Sequence, residues 1–186
     1  LLRLAGWKTI NELPGGITRC VMIAAPHTSN WDFILTRLVF NVLKIHLRFT
    51  LKKEWMRFPL NIIMRPMGGL AIDRSPREAG GERRSMVEVM SEMFEKNKGP
   101  FVMLVTPEGS RSRRDEWKTG FYWVAMQAKV PIALGFLDYG RRIAGVGKVI
   151  YPNGELHNDM KEIMAFYKNI TPKYPEKFSV DKNYDQ

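Results

Sequence analysis

The sequence predicts an α/β protein: a mixed, mostly parallel sheet with helices on both faces, in a single domain over residues 1–186. Three observations lead there. Short apolar runs of strand length alternate with stretches whose apolar residues recur every three or four positions. A hydrophobic fraction of 45% and an aromatic fraction of 11% suit a globular chain, and 186 residues can bury a core of their own. No internal repeat or low-complexity linker divides the chain.

The elements follow in order. "RCVMIAA" (19–25) is a short apolar run closed by a proline, which reads as a buried strand. From Asn30 to about His46, Trp31, Ile34, Leu35, Leu38, Val39, Val42 and Leu43 recur at helical spacing. "LRFTLK" (47–52) alternates as a second strand, and "FPLNIIMRPM" (58–67) is a short helix or hairpin between prolines. "GLAID" (69–73) reads as a strand, followed by a helix from about Arg77 to Asn97. "PFVMLV" (100–105) is the clearest strand signal, and it enters the loop "TPEGS". "GFYWVAMQAK" (120–129) is a helix, and "VPIALGFLDY" (130–139) and "AGVGKVIY" (144–151) are strands joined through "YGRR". "DMKEIMAFYKNI" (159–170) is an amphipathic helix, and the residues after Pro172 read as irregular.

Composition narrows the function. Cys20 is the single cysteine, so there is no internal disulfide framework and no thiolate metal cluster, which fits a reducing compartment. The longest apolar runs fall well short of the roughly 18 residues of a spanning helix. The first residue is Leu, so a short native N-terminus is expected to precede it. Lys and Arg number 29 against 19 Asp and Glu, a net charge of +10. That balance points to anionic partners: nucleic acid, lipid surfaces, phosphorylated metabolites or acidic carrier proteins.

Functional loops of an α/β sheet gather where strands end and helices begin. Three such loops are unusually polar: "PHTSNWD", "DRSPRE" and "TPEGSRSRRDEWK". The first carries His27 and Asp32. A spacing of five on one continuous helix would turn their side chains about 140° apart. They meet more easily if His27 stays in the loop and Asp32 sits in the first helical turn, with Asn30 or Ser29 as N-cap. Asp32 then fixes the imidazole tautomer and the other ring nitrogen faces a substrate hydroxyl, which makes His27 a general base. The same pattern also serves a capped helix with a hydrogen-bonded histidine. The third loop favours chemistry: Glu108 and Gly109 follow a strand, with Arg111, Arg113, Arg114 and Lys118 within ten residues. Glycine lets backbone approach a ligand, and arginine offers a planar fork to phosphate or carboxylate oxygens. Arg74 and Arg77 repeat the pattern more weakly.

Other signatures are missing: no G-x-S-x-G elbow, no Walker loop, no H-E-x-x-H and no Cys/His metal spacing. Nor is there an RNA-recognition aromatic motif or zinc finger, so nucleic acid is not an expected partner. A base that activates the substrate's own hydroxyl needs no enzyme nucleophile.

Four blocks occur in order: H-x-S-x-x-D at 27–32, G-G-L-A-I-D-R at 68–74, E-G-S-R at 108–111 and V-P-I at 130–132. This arrangement resembles the glycerolipid acyltransferase family, which includes 1-acylglycerol-3-phosphate acyltransferases. The resemblance implies a fold like that of glycerol-phosphate acyltransferases. It implies His27 as general base for an acceptor hydroxyl that attacks the thioester of acyl-carrier protein or acyl-CoA, with Asp32 orienting it. Arg74 and Arg111 would bind an anionic lysolipid head, Glu108, Gly109 and Ser110 would shape that pocket beside Lys118, and V-P-I would support its floor. No metal, and no cofactor beyond the acyl donor, is expected. Pro26 stands where an Asn commonly precedes the histidine, Ser110 replaces the usual Thr, and Leu70 and Ala71 are smaller than the aromatic often found nearby. No hydrophobic N-terminal anchor of the kind some relatives carry is visible.

The expected activity is therefore transfer of a fatty acyl group to a lysolipid, with a lysophosphatidic-acid-like or carboxylate-bearing head, at the inner face of the cell membrane. The acyl chain is expected against Trp55, Met56, Phe58, Leu60, Ile62, Ile63 and Met64, a stripe that serves equally as ordinary core. The rival readings are a lipid or thioester hydrolase, with His27 activating water, and a non-catalytic basic membrane-binding module.

Overall fold

The computed structural model describes residues 2, 4–73, 75 and 82–185. The strands are β1 (Lys8–Asn11), β2 (Arg19–Ala24), β3 (Leu47–Lys52), β4 (Gly69–Ile72), β5 (Phe101–Val105), β6 (Ile132–Asp138) and β7 (Ile143–Ile150). The helices are α1 (Asn30–Val42), α2 (Asn61–Met64), α3 (Met86–Lys96), α4 (Gly120–Ala128) and α5 (Leu156–Tyr167). They build one sheet in the order β1-β7-β6-β2-β5-β3-β4, parallel throughout except for the β6–β7 pair.

Each strand of the sheet's centre is apolar on both sides because helices cover both. In β2, Val21 and Ile23 pack with Phe94 of α3, Tyr122 of α4 and Ile163 of α5. Cys20 and Met22, pointing the other way, pack with Val39 and Phe40 of α1. All seven residues of β6 are buried, the mark of a strand sandwiched between helical layers. A fully buried side chain such as Phe94 contributes about 3–5 kcal/mol against truncation to Ala.

The register fixes which ends meet. Ile23 lies beside Val105 of β5, and Ala24 beside Gly135 of β6. The segments leaving β2, β5 and β6 therefore emerge at one edge. Gly135 belongs there because an added Cβ would stand 2.9 Å from the carbonyl oxygen of Ile23.

Several boundaries differ from the sequence expectation. β1 was not expected; it is short and largely exposed, and exists by pairing with β7. α1 stops at Val42, where Lys44 takes a left-handed φ of 57° and turns the chain into β3. α3 begins at Met86, not Arg77: the Ser85 hydroxyl accepts the Glu88 N–H and caps it there, and residues 82–85 are not helical. Arg77 itself lies outside the described residues. α5 runs Leu156–Tyr167, three residues earlier at each end than the apolar periodicity suggests. The segment beyond Pro172 is irregular apart from one 3-10 turn, Pro175–Lys177.

Candidate active site

His27 leaves the end of β2 in the loop before α1. Ser29 is the N-cap of α1, its hydroxyl accepting the Trp31 N–H at 3.1 Å, and Asp32 completes a capping box from the third helical position. The cap folds Asp32 back over the loop. Its Oδ2 accepts the main-chain N–H groups of Thr28 and Ser29, both at 2.8 Å, and stands 3.5 Å from Nδ1 of His27. Its Oδ1 accepts the Tyr139 hydroxyl at 2.7 Å. Burial alone would raise the Asp32 carboxyl, but donors from His27, Tyr139, Ser29 and Thr28 outweigh it and hold the group below the usual carboxylate range. Asp32 thus stays anionic beside an imidazole that is 20% exposed.

Glu108 follows β5 through the turn Thr106–Gly109, where Gly109 has φ 67° and its N–H donates to the Thr106 carbonyl. Both Glu108 carboxylate oxygens accept the His27 main-chain N–H, at 3.0 and 3.2 Å. Burial, with Asp32 nearby, pushes Glu108 up to about 7 despite that hydrogen bond. Glu108 is therefore a fastener between the two loops as well as a wall of the basic one. Lys118 packs across Gly109, where an added Cβ would meet its Nζ at 2.9 Å.

A cavity of about 600 Å³ opens beside this pair. His27, Asp32, Arg111 and Lys118 supply its polar side, and Phe33, Phe40, Phe49, Leu51, Met90 and Phe121 are among its apolar lining. A second cavity, of about 560 Å³, adjoins through Lys118 and is lined by Glu108, Gly109 and Arg114. Ser110 lines neither; its hydroxyl donates to the Ser112 carbonyl and accepts Nε of Arg114, each at 3.2 Å. Arg74 lies outside the described residues. Among those described, no cluster of His, Cys, Asp or Glu is arranged to hold a metal ion.

Two expectations do not match the geometry. V-P-I sits at the start of β6, away from the carboxyl edge, and the cavity takes Gly135, Phe136 and Leu137 from that strand instead. Of the stripe 55–64 only Met64 lines the cavity: Phe58, Leu60, Ile62 and Ile63 are exposed, Met56 is not part of the lining, and the Trp55 side chain lies outside what is described. The apolar wall comes from α1, β3, α3 and α4 because those elements flank the carboxyl edge.

Sequence reasoning missed Tyr139 and the C-terminal segment. Tyr139 ends the run "VPIALGFLDY", and a strand beside β2 must end near His27, so its position carried a usable signal. The C-terminal segment carried none. It binds Tyr139 N–H through the Thr171 carbonyl at 2.9 Å and gives the Tyr174 N–H to the Thr28 hydroxyl at 3.3 Å. Farther on, buried Asp181 accepts the Trp117 N–H at 2.7 Å, and Lys182 N–H donates to the Asp115 carbonyl. One strap thus holds both polar loops.

The fold and this edge define an α/β enzyme built for acyl transfer. Residues 11–133 match the model of the Acyltransferase family, and the chain belongs to that family. No curated protein matches it in sequence. In structure it is similar to the crystal structure of the 1-acyl-sn-glycerophosphate (LPA) acyltransferase, PlsC, from Thermotoga maritima. The two superpose with a TM-score of 0.54 at 18% identity, over 90% of this chain and 72% of that one. No helix among the described residues is long and apolar enough to cross a membrane.

Proposed function

We propose that this acyltransferase moves a fatty acyl group from the thioester of acyl-carrier protein or acyl-CoA to the hydroxyl of an anionic, lysophosphatidic-acid-like lysolipid. The observation that carries the reading is the His27–Asp32 pair, 3.5 Å apart, at the mouth of an apolar cavity that Arg111 and Lys118 also reach. His27 takes the acceptor's hydroxyl proton on the ring nitrogen away from Asp32, and the oxygen attacks the thioester carbonyl. The tetrahedral intermediate collapses as the C–S bond breaks, and the imidazolium returns its proton to the departing sulfur. Asp32, kept anionic by its donors, stabilises the imidazolium between those steps.

Arg111 and Lys118 hold the anionic head, with Arg74 assigned to the same task by its place in the G-G-L-A-I-D-R block. The enzyme works peripherally, at the inner face of the cell membrane, drawn there by its +10 charge.

The test is lipid mass spectrometry after incubation with mixed acyl donors and a panel of lyso-acceptors. Acceptor-dependent formation of diacyl product is the expected result. Release of free fatty acid at the same rate with and without acceptor would show a hydrolase instead.

A further inference from the structure

The two cavities at the carboxyl edge divide the cations of the basic loop between them. Arg111 lines the first and Arg114 the second, while Lys118 lines both. Arg113 is paired with Asp115 at 3.2 Å. Arg111, Arg114 and Lys118 have no carboxylate partner among the described residues. Uncompensated cations held in one loop repel one another, and anions seated among them relieve that repulsion. Acyl transfer brings two anionic reactants to this edge, the lysolipid head and the donor.

The second cavity is polar and close to the base. Glu108, which lines it, accepts the His27 main-chain N–H at 3.0 Å, so one side chain separates this cavity from the loop that carries the base. Its wall is fixed by Trp117, which is buried, gives its main-chain N–H to Asp181 at 2.7 Å and its indole N–H to the Ser179 carbonyl at 3.0 Å. Arg114 is aimed by Ser110, whose hydroxyl accepts its Nε at 3.2 Å and leaves both terminal nitrogens of the fork for a ligand. Asp115 is engaged by Arg113 and Lys182, and Glu108 by His27. Exposed Glu116 remains to accept N–H groups from whatever enters.

The first cavity suits hydrocarbon and one anionic head. The thiol half of the donor needs a different seat. In acyl-CoA and acyl-carrier protein alike, the thioester hangs on 4′-phosphopantetheine, an arm with two amides and a phosphate at its far end. Amides call for polar walls and a phosphate for a planar cation, and the second cavity supplies both.

We propose that the second cavity seats the 4′-phosphopantetheine arm of the acyl donor, with Arg114 gripping its phosphate. Lys118 stands between that phosphate and the acceptor's head. The proposal rests on the acyl-transfer reading and adds the donor's path to it. The thioester lies where the two cavities meet, beside His27. Its acyl chain points into the apolar cavity, and the thiol departs through the polar one.

The experiment compares acyl-pantetheine with acyl-4′-phosphopantetheine as donors, at saturating lysophosphatidic acid, in the native protein and in Arg114→Ala. Removing the phosphate lowers the native donor kcat/KM by about tenfold, the low end for a charge-assisted contact at an exposed arginine. Arg114→Ala loses about tenfold on the phosphorylated donor and less than about twofold on acyl-pantetheine, so the two losses do not add. Its acceptor KM stays near native, and Arg114→Lys recovers part of the loss. Acyl-CoA and acyl-carrier protein, tried in turn, identify the source of the phosphate, and the Arg114→Ala loss reappears with the faster of them. Equal losses on the two minimal donors in a variant of native melting temperature, a raised acceptor KM, or no loss with the faster natural donor overturns the seat. A loss confined to phosphorylated donors, with free fatty acid as the product whether or not acceptor is present, leaves the seat standing and overturns acyl transfer.

Discussion

The Tyr139 hydroxyl donates to Oδ1 of Asp32 at 2.7 Å, across 107 residues of sequence. The contact leaves Oδ2 for His27 and the two loop N–H groups, so Tyr139 decides which oxygen the imidazole meets. Tyr139→Phe keeps the ring packed edge-on against Trp7 and deletes only the donor. Losing the donor leaves Oδ1 of Asp32 unpaired and loosens the carboxylate that steadies the imidazole. kcat should fall by roughly tenfold while both KM values stay near native. A lowered melting temperature with kcat unchanged would make the tyrosine purely structural.

Glu108 gives a pH signature, in stability. Its carboxyl is raised from 4.5 to about 7 in the folded chain. The native state therefore binds the extra proton, and stability is full below about 4.5 and declines as pH rises to about 7. The loss is on the order of 3 kcal/mol and levels off above that range. Glu108→Gln keeps an acceptor for the His27 N–H and removes the titration. Thermal melts across pH should show the slope in the native protein and a flatter line in the variant.

His27→Ala should retain the fold and lose about 10²–10⁴-fold in transfer, the usual share of a general base. No acyl-enzyme should form. Cys20 is buried with its thiol pushed up to about 12, and the Ser29 hydroxyl is engaged in capping α1. Intact-protein mass after incubation with labelled donor alone should be unchanged. A stoichiometric adduct that chases into lipid would defeat direct transfer.

Arg111→Ala should raise the acceptor KM by roughly tenfold and leave the donor KM near its native value; the side chain is exposed, so the effect sits at the low end for a charge-assisted contact. A defect confined to the donor KM would move Arg111 to the thioester side of the site.

Asp181→Ala should destabilise through two orphaned donors. The carboxylate is 1% exposed and accepts the Trp117 and Asn183 N–H groups at 2.7 and 2.9 Å. The expected cost is about 1–3 kcal/mol, at about 2–4 °C of melting temperature per kcal/mol. Limited proteolysis should cut the C-terminal segment first, with activity falling as it is cut.

The sequence was most readable where burial is two-sided. β2, β5 and β6 announce themselves because both faces need apolar side chains, and a strand end followed by His, a capping serine and Asp defines the local site. β1 was silent because its pattern is polar and its existence depends on β7, more than 130 residues away. The apolar run around α2 was legible as apolar but not as inward or outward, since a four-residue helix has no opposite polar face to compare. Tyr139 and Asp181 were hidden for another reason. Each acts through a partner distant along the chain, and neither carries a local spacing that marks it.

The strap also sets an order of events in synthesis. His27, Asp32, Glu108 and Arg111 are all translated before Thr171, Tyr174 and Asp181, which hold their loops. A nascent chain still tethered to the ribosome through this segment has the chemical groups but not the clasp. The two polar loops are thus aligned by a clasp made after them, so ordering of the site comes late in the folding of the chain.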